Sequence, residues 1–284
     1  MPISPTDLIL NPDGSVYHLS LLPKHIADTV IAVGDPNRVG MIAEYLDSID
    51  YEVNKREFIT ITGKFNSRRI TVISTGIGTD NVEIVLTELD ALVNVDLKIR
   101  EPKARKKRLR IIRLGTSGAL QEDVAVGSHV ISEFGIGLDN LMMFYRFSMN
   151  EWEYELAGEI QHQAGLPFQP YVVEGSASLL KQLGADMVAG NTVTCPGFYA
   201  PQGRQVRAST ALPDLLDKLT FFHYQDFWLT NFEMETSAYY ALGRLLGHDV
   251  ISLNAIIANR VKNEFAKDPY AVVRSLIEKT LDVL

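Results

Sequence analysis

The stretch Thr29-Val30-Ile31-Ala32-Val33-Gly34-Asp35-Pro36-Asn37-Arg38 takes the chain from one kind of structure into another. Its first five residues are apolar and largely β-branched, which reads as a buried strand. Gly34 lets the backbone turn sharply where the strand ends. Asp35 suits the cap of a following helix and Pro36 its first position. Arg38 then stands near free backbone N–H groups at a helix N-terminus, a place that favours an anion. Taken alone, the motif reads as a plain strand-to-helix turn with a solvated arginine.

The same alternation runs through the rest of the chain. Ile70-Thr71-Val72-Ile73, Leu109-Arg110-Ile111-Ile112, His129-Val130-Ile131, Tyr171-Val172-Val173 and Val250-Ile251-Ser252-Leu253 are short, mostly β-branched runs. Val82, Val85, Leu86, Leu89, Leu92 and Val93 recur on one helical face, as do Val272, Val273, Leu276, Ile277 and Leu281. Strands alternating with helices predict an α/β fold, a largely parallel or mixed sheet covered by helices. There is no internal repeat and no low-complexity linker, so residues 1–284 read as one domain.

Composition narrows the function classes. At 46% hydrophobic and 22% charged residues, the chain can bury a sizeable core without a metal or disulfide staple. A net charge of -8 counts against general binding to nucleic acid or to an anionic membrane surface. Cys195 is the single cysteine, which forbids an internal disulfide and fits a reducing compartment. The N-terminus lacks a signal-peptide pattern and no apolar run reaches the ~20 residues that span a bilayer. A cytoplasmic protein is expected. Residues 98–110 hold Lys98, Arg100, Lys103, Arg105, Lys106, Lys107, Arg108 and Arg110. A nucleic-acid patch is one reading. A solvated basic loop is the better one, because the rest of the chain is acidic and no stacking aromatics are interleaved.

Several segments could carry chemistry. Ser74-Thr75-Gly76-Ile77-Gly78 and Gly115-Thr116-Ser117-Gly118 read as glycine-rich turns after strands, with Arg113 just before the second. Small residues let a ligand approach the backbone, and hydroxyls with N–H groups can hold phosphate oxygens. Neither is a Walker A loop or a full dinucleotide fingerprint. Glu233-Met234-Glu235 opens a helix over 237–246. Its carboxylates could cap the helix, act as a glycosidase pair, or bind adjacent sugar hydroxyls with Met234 against the ribose. Their spacing of two makes them diverge, which weakens a joint acid/base role. Phe198, Gln202 and Arg204 offer an aromatic platform with donors and an acceptor, suited to a flat base. His18 has no local signal that singles it out, and Cys195 reads as a packed thiol. No His/Cys/Asp/Glu cluster has zinc spacing.

Together these motifs resemble the nucleoside phosphorylase family, and within it the branch that cleaves uridine. The anchors run in family order from His18-Leu19 through Gly34–Arg38, Arg56-Glu57-Phe58, residues 74–78, residues 113–118, residues 198–204 and Phe232-Glu233-Met234-Glu235-Thr236 to Asn259-Arg260. The resemblance implies a three-layer fold with a mixed, twisted central sheet flanked by helices. It implies phosphate held by Gly34, Arg38, Arg113 and Thr116, with Arg56 from a neighbouring subunit. Met234 and Glu235 would grip the ribose, and the neighbour's His18 would reach its 5′-hydroxyl. Phe198, Gln202 and Arg204 would hold the base, with Glu233 and the backbone near Ile257 lining the pocket. Catalysis would centre on Arg113, Arg204, Gln202 and Glu235, with inorganic phosphate as co-substrate and no cofactor. A homo-oligomer, dimer or hexamer, is implied.

Two positions bear on the base. Purine-cleaving relatives commonly carry an aspartic acid where this chain has Asn259, and an amide cannot serve as that general acid. Gln202-Gly203-Arg204 likewise points to pyrimidines, while a purine nucleoside phosphorylase and a nucleoside-binding oligomer without turnover stand as alternatives. The positions matching a monovalent-cation site are Glu57, Ile77 and Asn81, and Asn81 replaces the usual serine, which counts against potassium. Residues 98–110 form an insertion relative to the compact family pattern.

Overall fold

A computed structural model describes residues 2–284. They form two compact units, residues 2–113 with 242–249 and residues 114–241 with 250–284. Each is α/β, with a sheet of parallel and antiparallel strands.

In the first unit, β1 (Thr29–Val33) leads into helix α1 (Pro36–Ala43). The local chemistry is the one the sequence predicts: Asp35 Oδ1 accepts from the Asn37 N–H at 2.9 Å, and Pro36 opens the helix. Strands β2 (Ser48–Lys55), β3 (Phe58–Phe65) and β4 (Arg68–Ser74) follow as an antiparallel meander. β4 lies parallel to β1, Thr29 opposite Ile70 and Val33 opposite Ser74. Both carry unbroken buried runs, as strands covered on both faces do. β2 and β3 give no clear sequence signal: β2 is a largely exposed edge, and β3 mixes threonines with Gly63. Gly63 is required there, since a Cβ would stand 2.1 Å from the Ser48 carbonyl oxygen.

Helix α2 (Thr79–Asn94) buries Val82, Val85, Leu86, Leu89, Leu92 and Val93, the face its periodicity marks. A small hairpin, β5 (Val95–Asp96) with β6 (Glu101–Pro102), opens the basic segment. Residues 101–108 are exposed, yet the segment is not merely solvated. Lys103 Nζ donates to the Val93 carbonyl at 2.9 Å, and Lys106 Nζ reaches the Asn94 carbonyl at 3.4 Å. Asn94 binds the Lys107 backbone in both directions, at 2.6 and 3.0 Å. Lys107 Nζ pairs with Asp28 at 2.5 Å, and Arg108 reaches the Gly247 carbonyl and Asp249. The cations thus serve the carbonyl end of α2, where positive charge complements the helix dipole.

β7 (Arg110–Ala119) passes from the first unit into the second. The glycine-rich residues Gly115-Thr116-Ser117-Gly118 therefore lie inside a strand, and the expected turn is absent. The reason is pairing: Gly118 and Ala119 face Phe232 and Asn231 of β13 (Asn231–Glu233). The Phe232 ring stands 3.4 Å from where a Gly118 Cβ would be, and the Ser117 hydroxyl accepts from Asn231 Nδ2 at 2.8 Å.

The second unit also holds β8 (His129–Gly137), β9 (Tyr171–Glu174) and β10 (Val188–Thr194). Its strand order is β15-β14-β8-β10-β13-β7, with β9 beside β8. Here β14 is Asp249–Asn259, whose first residue belongs to the first unit, and β15 is Glu264–Phe265. β10 is parallel to both β8 and β13, and its Gly190/Asn191 irregularity hides it from a search for alternation. A two-residue hairpin pair, β11 (His223–Tyr224) and β12 (Phe227–Trp228), stands apart. Helices α3 (Glu151–Ala164), α4 (Ala177–Leu183), α5 (Leu215–Phe221) and α7 (Pro269–Val283) complete the set, and α6 (Thr236–Leu246) begins here, its residues from Leu242 on belonging to the first unit. The core gathers Leu156, Ile160, Val172, Val193, Leu219, Phe222 and Phe232. No helix among the described residues is long and apolar enough to cross a membrane.

Candidate active site

In the first unit the chain places Gly34 at the carboxyl end of β1, where ligands of α/β proteins gather. The Gly76 N–H donates to the Gly34 carbonyl at 3.0 Å, so the ends of β1 and β4 lie back to back. Gly76 needs glycine, having φ +73° with Asn81 and Glu57 against it, while a Cβ on Gly34 would come 3.3 Å from the Gly76 carbonyl oxygen, a tight fit. Arg38 lies in the first turn of α1, its N–H on the Asp35 carbonyl at 3.0 Å. Arg113 is 3% exposed on β7. Arg56 stands exposed at the two-residue tip of the β2–β3 hairpin with φ +57°, bracketed by the Lys55–Phe58 pair. The Ser74 hydroxyl is committed to the hairpin: it donates to the Glu57 carbonyl and accepts from the Ile59 N–H.

Glu57, Ile77 and Asn81 do come together around Gly76. Asn81 turns its amide nitrogen toward the Ile77 carbonyl at 3.3 Å.

His18 is held by a residue the sequence reading passes over. Glu88, buried on α2, accepts from the His18 and Leu19 N–H groups and lies 2.7 Å from His18 Nδ1. Its sequence signal is only an acidic residue on an otherwise apolar helix face.

The second unit assembles the candidate base site. Phe198, Gln202 and Arg204 meet in the loop after β10, as the resemblance implies. Arg204 Nη1 donates to the Phe198 carbonyl at 2.7 Å and to Gln202 Oε1. The guanidinium lies 3.8 Å from the Phe198 ring centre and 5.8 Å from that of Phe232. Arg260 joins them: Nη1 donates to the Gln202 carbonyl at 3.1 Å, and its guanidinium is 5.7 Å from the same Phe232 ring. Burial, then the charge of Arg260, lowers the Arg204 pKa, and burial lowers that of Arg260. Two partly dehydrated guanidiniums near aromatic rings are a set of donors that can meet negative charge.

Glu233 is nearly fully buried and works mainly as a cap. Its carboxylate accepts from the Thr194 hydroxyl at 2.8 Å and from the Glu235 and Thr236 N–H groups at 2.9 and 3.0 Å. It thereby fixes the turn that carries half-buried Met234 and buried Glu235 into α6. Thr116, on β7, is half-buried, and the Ile257 carbonyl accepts from the Ala266 N–H at 2.8 Å. Cys195 is fully buried, and burial followed by the Glu233 charge pushes its thiol far up, so it is a packing residue.

Asn259 is fully spent on structure. Its Nδ2 donates to the Gln121 and Val124 carbonyls at 2.9 and 3.0 Å, and its Oδ1 accepts from the Val261 and Lys262 N–H groups. A carboxylate here could not donate to either carbonyl. Asn259→Asp is expected to cost about 2–4 kcal/mol of stability without creating purine turnover. Denaturant unfolding and an inosine assay check this; a wild-type midpoint with new inosine cleavage would contradict it.

A family model described as the Phosphorylase superfamily matches residues 28–282. A uridine phosphorylase of Thermococcus kodakarensis is 30% identical over 258 residues, covering 90% of this chain and 81% of that protein. A DeoD-type purine nucleoside phosphorylase of Oceanobacillus iheyensis is 25% identical over 270 residues, covering 94% and 98%. A crystal structure of a Trypanosoma brucei nucleoside phosphorylase, described as showing uridine phosphorylase activity, matches with a TM-score of 0.90 at 29% identity, over 98% of this chain and 99% of that one.

Proposed function

Because this chain belongs to the phosphorylase superfamily, and is an enzyme of its nucleoside phosphorylase group, we propose that its reaction is the reversible phosphorolysis of uridine to uracil and α-D-ribose 1-phosphate. The observation that carries the base assignment is the Arg204–Gln202–Arg260 cluster over Phe198 and Phe232, beside an Asn259 whose amide is wholly occupied. A departing uracil gains negative charge, and the two guanidiniums are suited to stabilise it. A purine reading calls for a proton donor to the leaving ring, a role the Asn259 amide cannot take. The uridine phosphorylase relatives support the same choice. The phosphorylase match spans residues 28–282 and so takes in residues of both units, which supports reading residues 1–284 as one domain.

In this reading phosphate attacks C1′ as the glycosidic bond loosens. Gly34, Arg38, Arg113 and Thr116 hold and aim it, so much of the rate comes from positioning and electrostatics. Met234 and Glu235 take the ribose. Arg56 and His18 serve the site of a neighbouring copy, so the enzyme works as a homo-oligomer. The exposed hairpin-tip position of Arg56 supports that role. The comparison of uridine with inosine tests the base assignment. Uridine turnover at least about tenfold faster is expected, the worth of one well-made polar contact, and a preference for inosine would overturn it.

The phosphate assignment has its own test. Arg113→Ala is expected to raise the KM for phosphate at least about tenfold, because a charge-assisted contact is lost. The KM for uridine should move far less. Unchanged phosphate kinetics would contradict the assignment.

A further inference from the structure

We propose that Glu88 is the positioning residue that aims His18 at the sugar's 5′-hydroxyl, by fixing which ring nitrogen carries the proton. This rests on the uridine phosphorylase reading above. Glu88 sits on the α2 face that otherwise buries Val85, Leu86, Leu89 and Leu92, and is itself 7% exposed. A carboxylate in such a place is costly unless its oxygens are satisfied. The N-terminal segment satisfies them. The His18 N–H approaches both oxygens at 3.0 and 3.1 Å, the Leu19 N–H donates to Oε2 at 2.9 Å, and His18 Nδ1 lies 2.7 Å from Oε1. Leu19 and Leu21, both fully buried, anchor the segment just beyond. The rings of Tyr17 and Phe58 meet the imidazole edge-on at 4.9 and 6.5 Å. One buried carboxylate therefore fixes both the backbone and the ring.

Since a carboxylate only accepts, Nδ1 must donate to it. In the neutral ring Nε2 is then an acceptor. The His18 side chain is 29% exposed, so the ring keeps an open edge. An acceptor nitrogen on a fixed ring suits the O–H of a primary alcohol, the chemistry of a ribose 5′-hydroxyl.

Two measurements test this. Ring ¹⁵N shifts of His18, taken where the imidazole is neutral, should show Nδ1 protonated and Nε2 bare in the wild type, and the reverse in Glu88→Gln, whose amide N–H faces Nδ1. The ratio of kcat/KM for uridine to that for 5′-deoxyuridine should fall at least about tenfold in Glu88→Gln. It should fall equally in His18→Ala and no further in the double variant, with the KM for phosphate unchanged. The ratio compares two substrates on one protein, so a loss of folded enzyme does not move it. A wild-type Nε2–H tautomer, or an unchanged ratio in Glu88→Gln, overturns the proposal. Wild-type protein that cleaves neither nucleoside overturns the functional reading, and the ¹⁵N shifts then decide the tautomer independently.

Discussion

Arg204→Ala is expected to lower kcat/KM for uridine by roughly 10²–10³, the loss seen when one donor to a developing anion is removed. The loss should fall mainly on kcat, since the contact strengthens as charge leaves the ribose for the base. Removing Arg204 also frees Gln202 Oε1 and strips the cation from the exposed face of Phe198. Arg204→Lys should recover little, because an ammonium lacks the flat guanidinium face that lies 3.8 Å from the Phe198 ring centre. Steady-state kinetics at saturating phosphate check this. A kcat within about twofold of wild type would remove Arg204 from the catalytic step.

Glu233→Ala should be the most damaging change to stability in the second unit. It leaves the Glu235 and Thr236 N–H groups and the Thr194 hydroxyl without that acceptor in a buried place. The cost is on the order of 3–5 kcal/mol. For a chain of this size that lowers the unfolding temperature by roughly 5–8 °C. Glu233→Gln keeps one acceptor oxygen and should lose about half as much. Differential scanning calorimetry decides it, and a midpoint within about 2 °C of wild type for Glu233→Ala would contradict the capping role. The same carboxylate sets the turn carrying Met234 and Glu235, so sugar binding should weaken in parallel.

Features written by neighbouring residues were legible in the sequence. The β1 strand, the Asp35 cap and Pro36 at the start of α1 all depend on residues within a turn of one another. The apolar faces of α2 and α7 follow from their own periodicity. Features decided by distant partners were not. Residues 115–118 carry turn chemistry, yet the pairing of Gly118 with Phe232 keeps them in a strand. Glu88 is only an acidic interruption until His18, 70 residues away, supplies its donors. Arg260 is visible as a motif residue, but its bond to the Gln202 carbonyl comes from a loop 58 positions earlier. The basic segment looked like a solvated loop because the carbonyls its lysines meet lie at the end of α2.

The central claim is that phosphate, held at the end of β1, is the nucleophile that releases uracil. Uridine incubated with the purified enzyme should yield uracil and ribose 1-phosphate in equal amounts when phosphate is present, and neither when phosphate is omitted. Uracil released with free ribose in the absence of phosphate, or no uracil in its presence, would contradict the account.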